Sequence, residues 1–373
     1  MGNSENRGAL RVSNTVSGDI TVMTDTLIGC DWGANTTYHV EGDVFSGAET
    51  GEVTVQLKTT GDTAIMEFSG SISDGETGAA LGIQVLNCNT PHVFSGDLSY
   101  TGATTLNANS GLKLTGDGAN LFNSRAVAVN GALDFANYTG EDAMQFNNLT
   151  GTNGTITGGN NDLILNIAED SFYSGKINIG TGTLTKKGEG NLKLLGANNG
   201  DLVAGAFNVD EGRLDVKEYF TGDISVKSAG ILSPGNSIGT LRTNGDFALN
   251  GGTLLMEIGG PTAADSDQLF VSGNLSLTDD SSILLQFTDG YSLAPNAQFE
   301  VILDAVNSDS VDVLSLIDSY YYSNLSYGLN DAGFWVISGK VDSNAVPEPS
   351  TWALLLLGAF GLALARRFQK CSK

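Results

Sequence analysis

A five-residue unit recurs along most of the chain and constrains its fold more than any other feature. The unit begins with an aromatic residue or valine, continues with Ser or Thr and then Gly, and ends, after one variable residue, in Leu or Ile. Successive units are spaced close to multiples of about 25 residues, and repeats of that length are typical of solenoids whose coils stack on their neighbours. Six copies are centred on Gly18, Gly70, Gly96, Gly175, Gly222 and Gly273, and a degenerate copy lies at Phe45-Ser46-Gly47.

Between these units, apolar and polar residues alternate, as in Leu112-Lys113-Leu114 and Leu192-Lys193-Leu194. Alternation over short runs bounded by Gly, Asn and Asp is typical of half-buried strands separated by turns. Glycine makes up 49 of the 373 residues and suits the corners of such coils. We therefore predict an all-β fold, a parallel β-helix with coils of about 25 residues. Stacked β-sandwich domains are the alternative, but they would show strands without a fixed period.

Two segments, residues 94–106 and 182–194, resemble the autotransporter-associated β-strand repeat. Residues 232–241, with the sequence LSPGNSIGTL, are similar to the end of many passenger domains of that family, and residues 265–269 continue the likeness. The resemblance covers roughly residues 90–340. It implies a right-handed parallel β-helix on an exported, surface-associated protein. The chain departs from the family after Lys340, where a different C-terminal signal takes the place of the translocating domain.

The C-terminus combines Pro347-Glu348-Pro349, an uncharged run over residues 351–365 and the pair Arg366-Arg367. The run covers about 22 Å as a helix, which is short of a hydrocarbon core of about 30 Å. The arginine pair nevertheless suits a cytoplasmic stop under the positive-inside rule. We predict a short transmembrane helix over residues 351–365, followed by a basic tail over residues 366–373.

This C-terminal order resembles the PEP-CTERM sorting signal of exported bacterial proteins, and the resemblance covers the last 27 residues. It implies recognition by a membrane-embedded exosortase, followed by placement at the cell envelope, at the surface or outside the cell. A plain tail anchor is the alternative reading. The residues that the resemblance assigns to the signal are Pro347, Glu348, Pro349, Arg366 and Arg367.

Export also requires an N-terminal signal, and the residues after Met1 contain no apolar stretch of that kind. We expect the true start of the protein to lie upstream of Met1; residence in the cytoplasm is the alternative. An oxidising compartment would allow a Cys30–Cys88 disulfide, but two cysteines are weak grounds for one. Two separate thiols are the other reading.

The charge of the chain excludes nucleic acid as a partner. With 18 basic and 42 acidic residues, the formal net charge is −24, which repels phosphates. We predict no cofactor, and weak calcium binding through the oxygen-rich turns is the alternative. Residues 158–163 fail the glycine-rich calcium motif, because Asn161 and Leu163 stand where it requires Gly and Asp.

No residue pattern indicates a catalytic site, and we predict a protein that is not an enzyme. Neighbouring carboxylates such as Asp265 and Asp267 lie in Gly/Ser/Thr-rich turns, where Asp is favoured for hydrogen bonding to local backbone. Asp279 and Asp280 lie in a turn of the same kind. His39 and His92 have no partner at metal-ligand spacing. A polysaccharide lyase or hydrolase on a β-helix scaffold is the alternative.

The predicted organisation has six parts. Residues 1–90 form N-terminal coils and a cap, 91–310 the repeat β-helix, 311–340 an aromatic-rich C-terminal cap, 341–350 a linker with the PEP motif, 351–365 the transmembrane helix and 366–373 the basic tail. The aromatic residues either cover the end of the solenoid or stack on sugars; they are Tyr320, Tyr321, Tyr322, Tyr327, Phe334 and Trp335.

The predicted function is that of an exported structural or adhesive protein at the cell surface or in the extracellular matrix. Its predicted partners are the membrane, an exosortase, and extracellular polysaccharide or other surface proteins.

Overall fold

A computed structural model describes residues 10–30, 35–59, 63–88, 90–195, 202–288, 296–318 and 322–341. These residues are mostly β-strand, with three single-turn 3-10 helices at Ala263–Asp265, Ser308–Ser310 and Leu314–Leu316.

The strands are numbered in chain order. Strands β1 to β11 are Leu10–Val12, Thr15–Val16, Ile20–Val22, Thr26–Cys30, Thr37–Val40, Val44–Ser46, Glu52–Thr59, Ile65–Phe68, Ile72–Ser73, Ala80–Val85 and His92–Phe94. Strands β12 to β22 are Thr104–Leu106, Gly111–Leu114, Val127–Val129, Ala132–Asp134, Met144–Asn147, Thr155–Thr157, Leu163–Asn166, Ser171–Tyr173, Lys176–Asn178, Thr183–Lys187 and Leu192–Leu194. Strands β23 to β33 are Leu202–Val216, Glu218–Pro234, Thr240–Thr243, Phe247–Asn250, Thr253–Ile258, Gln268–Val271, Leu275–Leu277, Ser282–Phe287, Gln298–Ala305, Tyr322–Leu329 and Trp335–Val341.

The ladders that join β1 to β31 are parallel, and each strand pairs with one that follows it by one coil of the chain. In the first face, β1, β4, β7, β10, β12 and β14 pair in that order. The residues in one coil vary: Phe207 pairs with Ile224, 17 positions later, and Leu269 pairs with Leu303, 34 positions later. The prediction of a mostly β chain is confirmed, and its parallel sheets are consistent with a β-helix.

Alternation places one set of side chains inside the stack. Strand β7 shows it most clearly, because every second side chain from Val53 onward is buried and the others are partly exposed. The inward side chains of successive coils form one continuous apolar core that runs along the stack. Aromatic rings stack within it, and the rings of Phe68 and Phe94 meet edge to face with centroids 5.3 Å apart.

Close approach of backbones explains the glycine of the repeat unit. Gly18, Gly42, Gly70 and Gly96 lie above one another in four successive coils, and a Cβ on any of the last three would lie closer than 3.0 Å to the carbonyl oxygen below it. Real Cβ atoms essentially never approach that closely. The degenerate copy assigned to Gly47 is therefore wrong, because Gly42 occupies that place in the stack.

The two cysteines are buried thiols and do not form a disulfide. Cys30 pairs in register with Thr59, and the next ladder places residues 85–88 above Thr59. The cysteines are therefore two coils apart, roughly 10 Å at the usual strand spacing. A disulfide requires Cα atoms within about 7 Å, so the separation excludes the bridge in this fold.

Antiparallel pairing joins the last three strands, although β31 also pairs in parallel with β28. Strand β33 pairs with both β31 and β32, and a tight turn at Asn330 joins the last two strands. Tyr322 donates a hydrogen bond to the carbonyl of Leu285 and Tyr327 one to Leu303, each at 2.6 Å. This hairpin therefore packs on the coil before it through aromatic side chains.

Candidate functional site

The five residues assigned to the sorting signal lie outside the described residues; they are Pro347, Glu348, Pro349, Arg366 and Arg367. The predicted helix over residues 351–365 lies outside them as well. Among the described residues, no helix has the length and apolar character needed to cross a bilayer. The candidate sites of the described part are therefore its acidic turns, its buried ionisable groups and its outward faces.

The aspartate that follows the repeat glycine ties successive coils together. The Asp19 carboxylate accepts a hydrogen bond from the backbone N–H of Asp43 at 3.0 Å, and the Asp43 carboxylate accepts one from Ser71 at 2.8 Å. Asp223 likewise accepts a hydrogen bond from the backbone N–H of Asp246 at 2.8 Å, and Asp246 accepts one from that of Asn274 at 2.7 Å. Bonds to a charged acceptor are the stronger kind. These carboxylates therefore stabilise the stack. They accept hydrogen bonds from the next coil and not from the backbone of their own turn.

One cluster of carboxylates is buried and includes an arginine. Asp215 is 2% exposed; it accepts a hydrogen bond from Nε of Arg213 and one of 2.9 Å from Nδ2 of Asn191. An Nη2 atom of Arg213 lies 3.9 Å from Oε1 of Glu257. Arg213 therefore links two carboxylates from strands β23 and β27, and together with Asn191 it occupies both oxygens of Asp215.

Asp267 lies beside this cluster and is fully buried. Its two oxygens accept backbone hydrogen bonds from Gly239 and Glu257, both at 2.8 Å. Burial raises the pKa of Asp267 to about 8, against the lowering effect of those two N–H groups. Because both oxygens accept backbone hydrogen bonds, Asp267 holds the loop of residues 234–239 against β27.

Sequence reasoning grouped Asp265 with Asp267, but the two residues have different roles. Asp265 accepts a hydrogen bond of 2.7 Å from the hydroxyl of Thr262, at the exposed start of a 3-10 turn. No local sequence signal separates the two aspartates, because the burial of Asp267 depends on its contact with Gly239, 28 residues earlier in the chain.

Lys186 is a buried basic side chain, and sequence reasoning assigned it no role. Its ammonium donates hydrogen bonds to the carbonyls of Gly188, Gly190 and Glu211 at 2.6, 2.7 and 2.9 Å. Burial lowers the pKa of Lys186 to about 8, while the charges of Glu211 and Asp170 act in the opposite direction. The side chain joins the tight turn after β21 to the coil above it.

The two histidines face opposite sides of the sheet. His39 is outward and its Nδ1 lies 3.4 Å from a carboxylate oxygen of Glu67. His92 is fully buried, neither ring nitrogen has a hydrogen-bond partner in the described structure, and burial lowers its pKa to about 4. No group of three or more His, Cys, Asp or Glu side chains in the described ranges is arranged to hold a metal ion. Weak calcium binding stays an alternative.

A shallow groove of about 500 Å³ lies on the first face, at the corner that follows β10, β12 and β14. The described residues that line it are all uncharged: Asn87, Asn107, Ala108, Asn130, Thr152 and Asn153. Beside it runs a column of outward side chains paired in register, which is also uncharged: Gln56, Gln84, Thr105, Ala128 and Thr150. We call the groove and this column together the neutral face. Its members are spaced a coil apart in the sequence, so no short motif indicates it.

Comparison with known proteins gives one match. Residues 345–367 match the family model of the PEP-CTERM protein-sorting motif. No curated protein matches the chain. No solved structure matches it either. The predicted C-terminal signal is thereby confirmed, and it indicates an exported protein that is targeted by exosortase and associated with the cell surface or envelope.

Proposed function

We propose that the chain is a non-catalytic, right-handed parallel β-helical protein that acts structurally or adhesively at the cell surface or in the extracellular matrix. The observation that carries the proposal is the PEP-CTERM match over residues 345–367. In this proposal the segment over residues 351–365 holds the protein in the membrane during sorting. The resemblance of residues 90–340 to the autotransporter-associated β-strand repeat supports the same location.

The use of the acidic residues supports a structural role. A chain of net charge −24 has many carboxylates, and those of the repeat turns accept backbone hydrogen bonds from the next coil. Carboxylates used in this way stabilise the stack, and the remaining charge keeps its surface solvated. A stiff, acidic stack of coils is suited to extend from a cell surface without aggregating.

The alternative is a carbohydrate-active enzyme, and the cluster of Arg213, Asp215, Glu257 and Asp267 is where such chemistry would be sought. Acid–base catalysis on a glycan needs two carboxyl groups that reach the substrate. Asp215 and Asp267 are 2% and 0% exposed, and their oxygens already accept hydrogen bonds from the protein. This geometry favours the structural role over the catalytic one.

Removal of residues 347–373 tests the proposed address. In a host that contains an exosortase, we expect the full-length protein to fractionate with the envelope and the truncated protein to be released in soluble form. The double change Arg366→Ala, Arg367→Ala should alter the fractionation in the same direction, whereas Asn208→Ala on the outside of β23 should not. Truncated protein that remains with the membranes would contradict the proposal.

Turnover assays test the alternative. The purified protein is incubated with neutral and acidic polysaccharides, and new reducing ends or unsaturated products are measured. We expect no turnover. Turnover that a single Asp215→Asn or Asp267→Asn change abolishes, in a protein that still folds, would establish the enzyme instead.

A further inference from the structure

We propose that the neutral face binds an uncharged, hydroxyl-rich polysaccharide that lies across successive coils. This inference rests on the proposed location outside the cell, where such polymers are the surrounding material. It adds a ligand class and a site to the proposed structural or adhesive function.

The absence of charge in the groove is the first argument. The chain carries 42 acidic and 18 basic residues, yet the six described residues that line the groove are all uncharged. Elsewhere on the same sheet, Arg125 and Glu52 form an ion pair at 2.9 Å. Anionic polymers are repelled by a molecule of this net charge, whereas a neutral polymer is not.

The second argument is that turn geometry does not account for these asparagines. Asn109 and Asn153 have φ values of 57° and 60°, a conformation for which asparagine is favoured. Asn87, Asn107 and Asn130 do not have positive φ, so this reason does not apply to them. Asn130 bridges to the next coil through the backbone N–H of Thr152, but backbone conformation does not account for Asn87 and Asn107 at the same corner, and a ligand would.

Free hydrogen-bonding capacity is the third argument. Oδ1 of Asn130 accepts a hydrogen bond of 2.8 Å from Thr152, and Oδ1 of Asn107 accepts a long one of 3.4 Å from Gln84. No acceptor within the described structure takes the Nδ2 groups of Asn107 and Asn130, and the Asn87 side chain makes no hydrogen bond there. An amide both donates and accepts, which matches the hydroxyl groups of a sugar.

The surface chemistry favours a glycan over a protein partner. Protein interfaces have an apolar, aromatic-rich core. None of the exposed large apolar side chains of the described residues lines this groove; they are Met23, Phe122, Phe172, Val306, Leu329 and Phe334. Parallel strands instead place amide and hydroxyl side chains, interrupted at Ala128, at intervals of about 4.8 Å, which suits a polymer with its own regular repeat.

Affinity electrophoresis of the full-length protein in mild detergent tests the proposal. The gels contain hydroxyethylcellulose, mixed-linkage β-glucan or galactomannan as neutral polymers, or alginate as an acidic one. We expect at least one neutral polymer to retard the protein and alginate not to. The double change Gln84→Ala, Asn107→Ala should weaken the retardation at least tenfold. Asn208→Ala removes an outward, partly exposed amide from β23 and should leave it unchanged.

A second variant, Thr105→Glu, places a carboxylate on the neutral face without removing an amide, and it should weaken binding as well. Circular dichroism and a thermal melt of each variant report whether it is folded. The proposal is overturned if no neutral polymer retards the protein, if the folded variants are retarded equally, or if alginate is bound more strongly. Because this assay does not involve export, its failure and the failure of the truncation experiment are distinguishable.

Discussion

The coil stack up to β30 and the hairpin of β32 and β33 satisfy their backbone hydrogen bonds in different ways. Each coil satisfies its backbone by pairing with the next one, and it does so through glycines that allow contact and aspartates that bridge the gap. The hairpin pairs locally in antiparallel fashion and fastens to the preceding coils through the hydroxyls of Tyr322 and Tyr327. The stack therefore repeats the same kinds of contact from coil to coil, whereas the hairpin makes its contacts once.

This comparison indicates where the molecule is sensitive to substitution. In a stack, each coil contacts only its neighbours, so a coil that cannot approach the one below disturbs two interfaces. In the hairpin, a substitution affects one edge of the sheet. We therefore expect the same chemical change to cost more in the stack than in the hairpin.

The largest effect is expected for a glycine of the stack. Gly70→Ala places a Cβ against the backbone of Gly42, and overpacking of this kind costs about 3 kcal/mol of the free energy of unfolding. The matched control is Gly328→Ala in β32, where a Cβ would meet no atom within 4 Å. We expect it to change stability by less than about 0.5 kcal/mol. Urea denaturation measures the free energy of unfolding of both variants. Equal losses would contradict the expected difference between the stack and the hairpin.

A somewhat smaller effect is expected for the buried lysine. Lys186→Met keeps the apolar stem but leaves three carbonyl groups without their donor, which costs about 2 kcal/mol. Lys187→Met, at the exposed neighbouring position, is the control and should be nearly neutral. If the two variants melt at the same temperature, the Lys186 hydrogen bonds do not contribute to stability.

The smallest effect is expected in the hairpin. Tyr327→Phe removes the hydrogen bond to Leu303 and retains the ring that packs on Trp335 with centroids 5.0 Å apart. The loss of one such bond costs about 1 kcal/mol. Tyr38→Phe provides a comparison with a buried tyrosine of β5 in the stack. Amide hydrogen exchange should show the Tyr327→Phe effect confined to β31, β32 and β33; loss of protection throughout the stack would contradict local fastening.

The sequence predicts the strands and their parallel order well, because the alternation of apolar and polar residues and the repeat glycine are patterns that each span only a few residues. It predicts the exact stacking less well, since coil lengths differ. The repeat pattern therefore points to Gly47, whereas Gly42 occupies that place in the stack. The burial of Asp267 was also missed, because it depends on a loop 28 residues before it in the chain. The PEP-CTERM signal was recognisable because its parts are contiguous.

The bridging aspartates have a consequence for how closely the repeat copies can resemble one another. Asp19 and Asp43 lie one above the other, and the next place in the column is taken by Ser71. Higher in the stack, Asp223 and Asp246 are followed in the same way by Asn274.

Two unit charges separated by about 4.8 Å in water repel each other by roughly 1 kcal/mol, so a third carboxylate in line would add to a growing penalty. A neutral residue after two aspartates limits that repulsion. Divergence between copies at this place therefore limits the stacking of like charges, and a chain whose units all carried the aspartate would accumulate repulsion along its length.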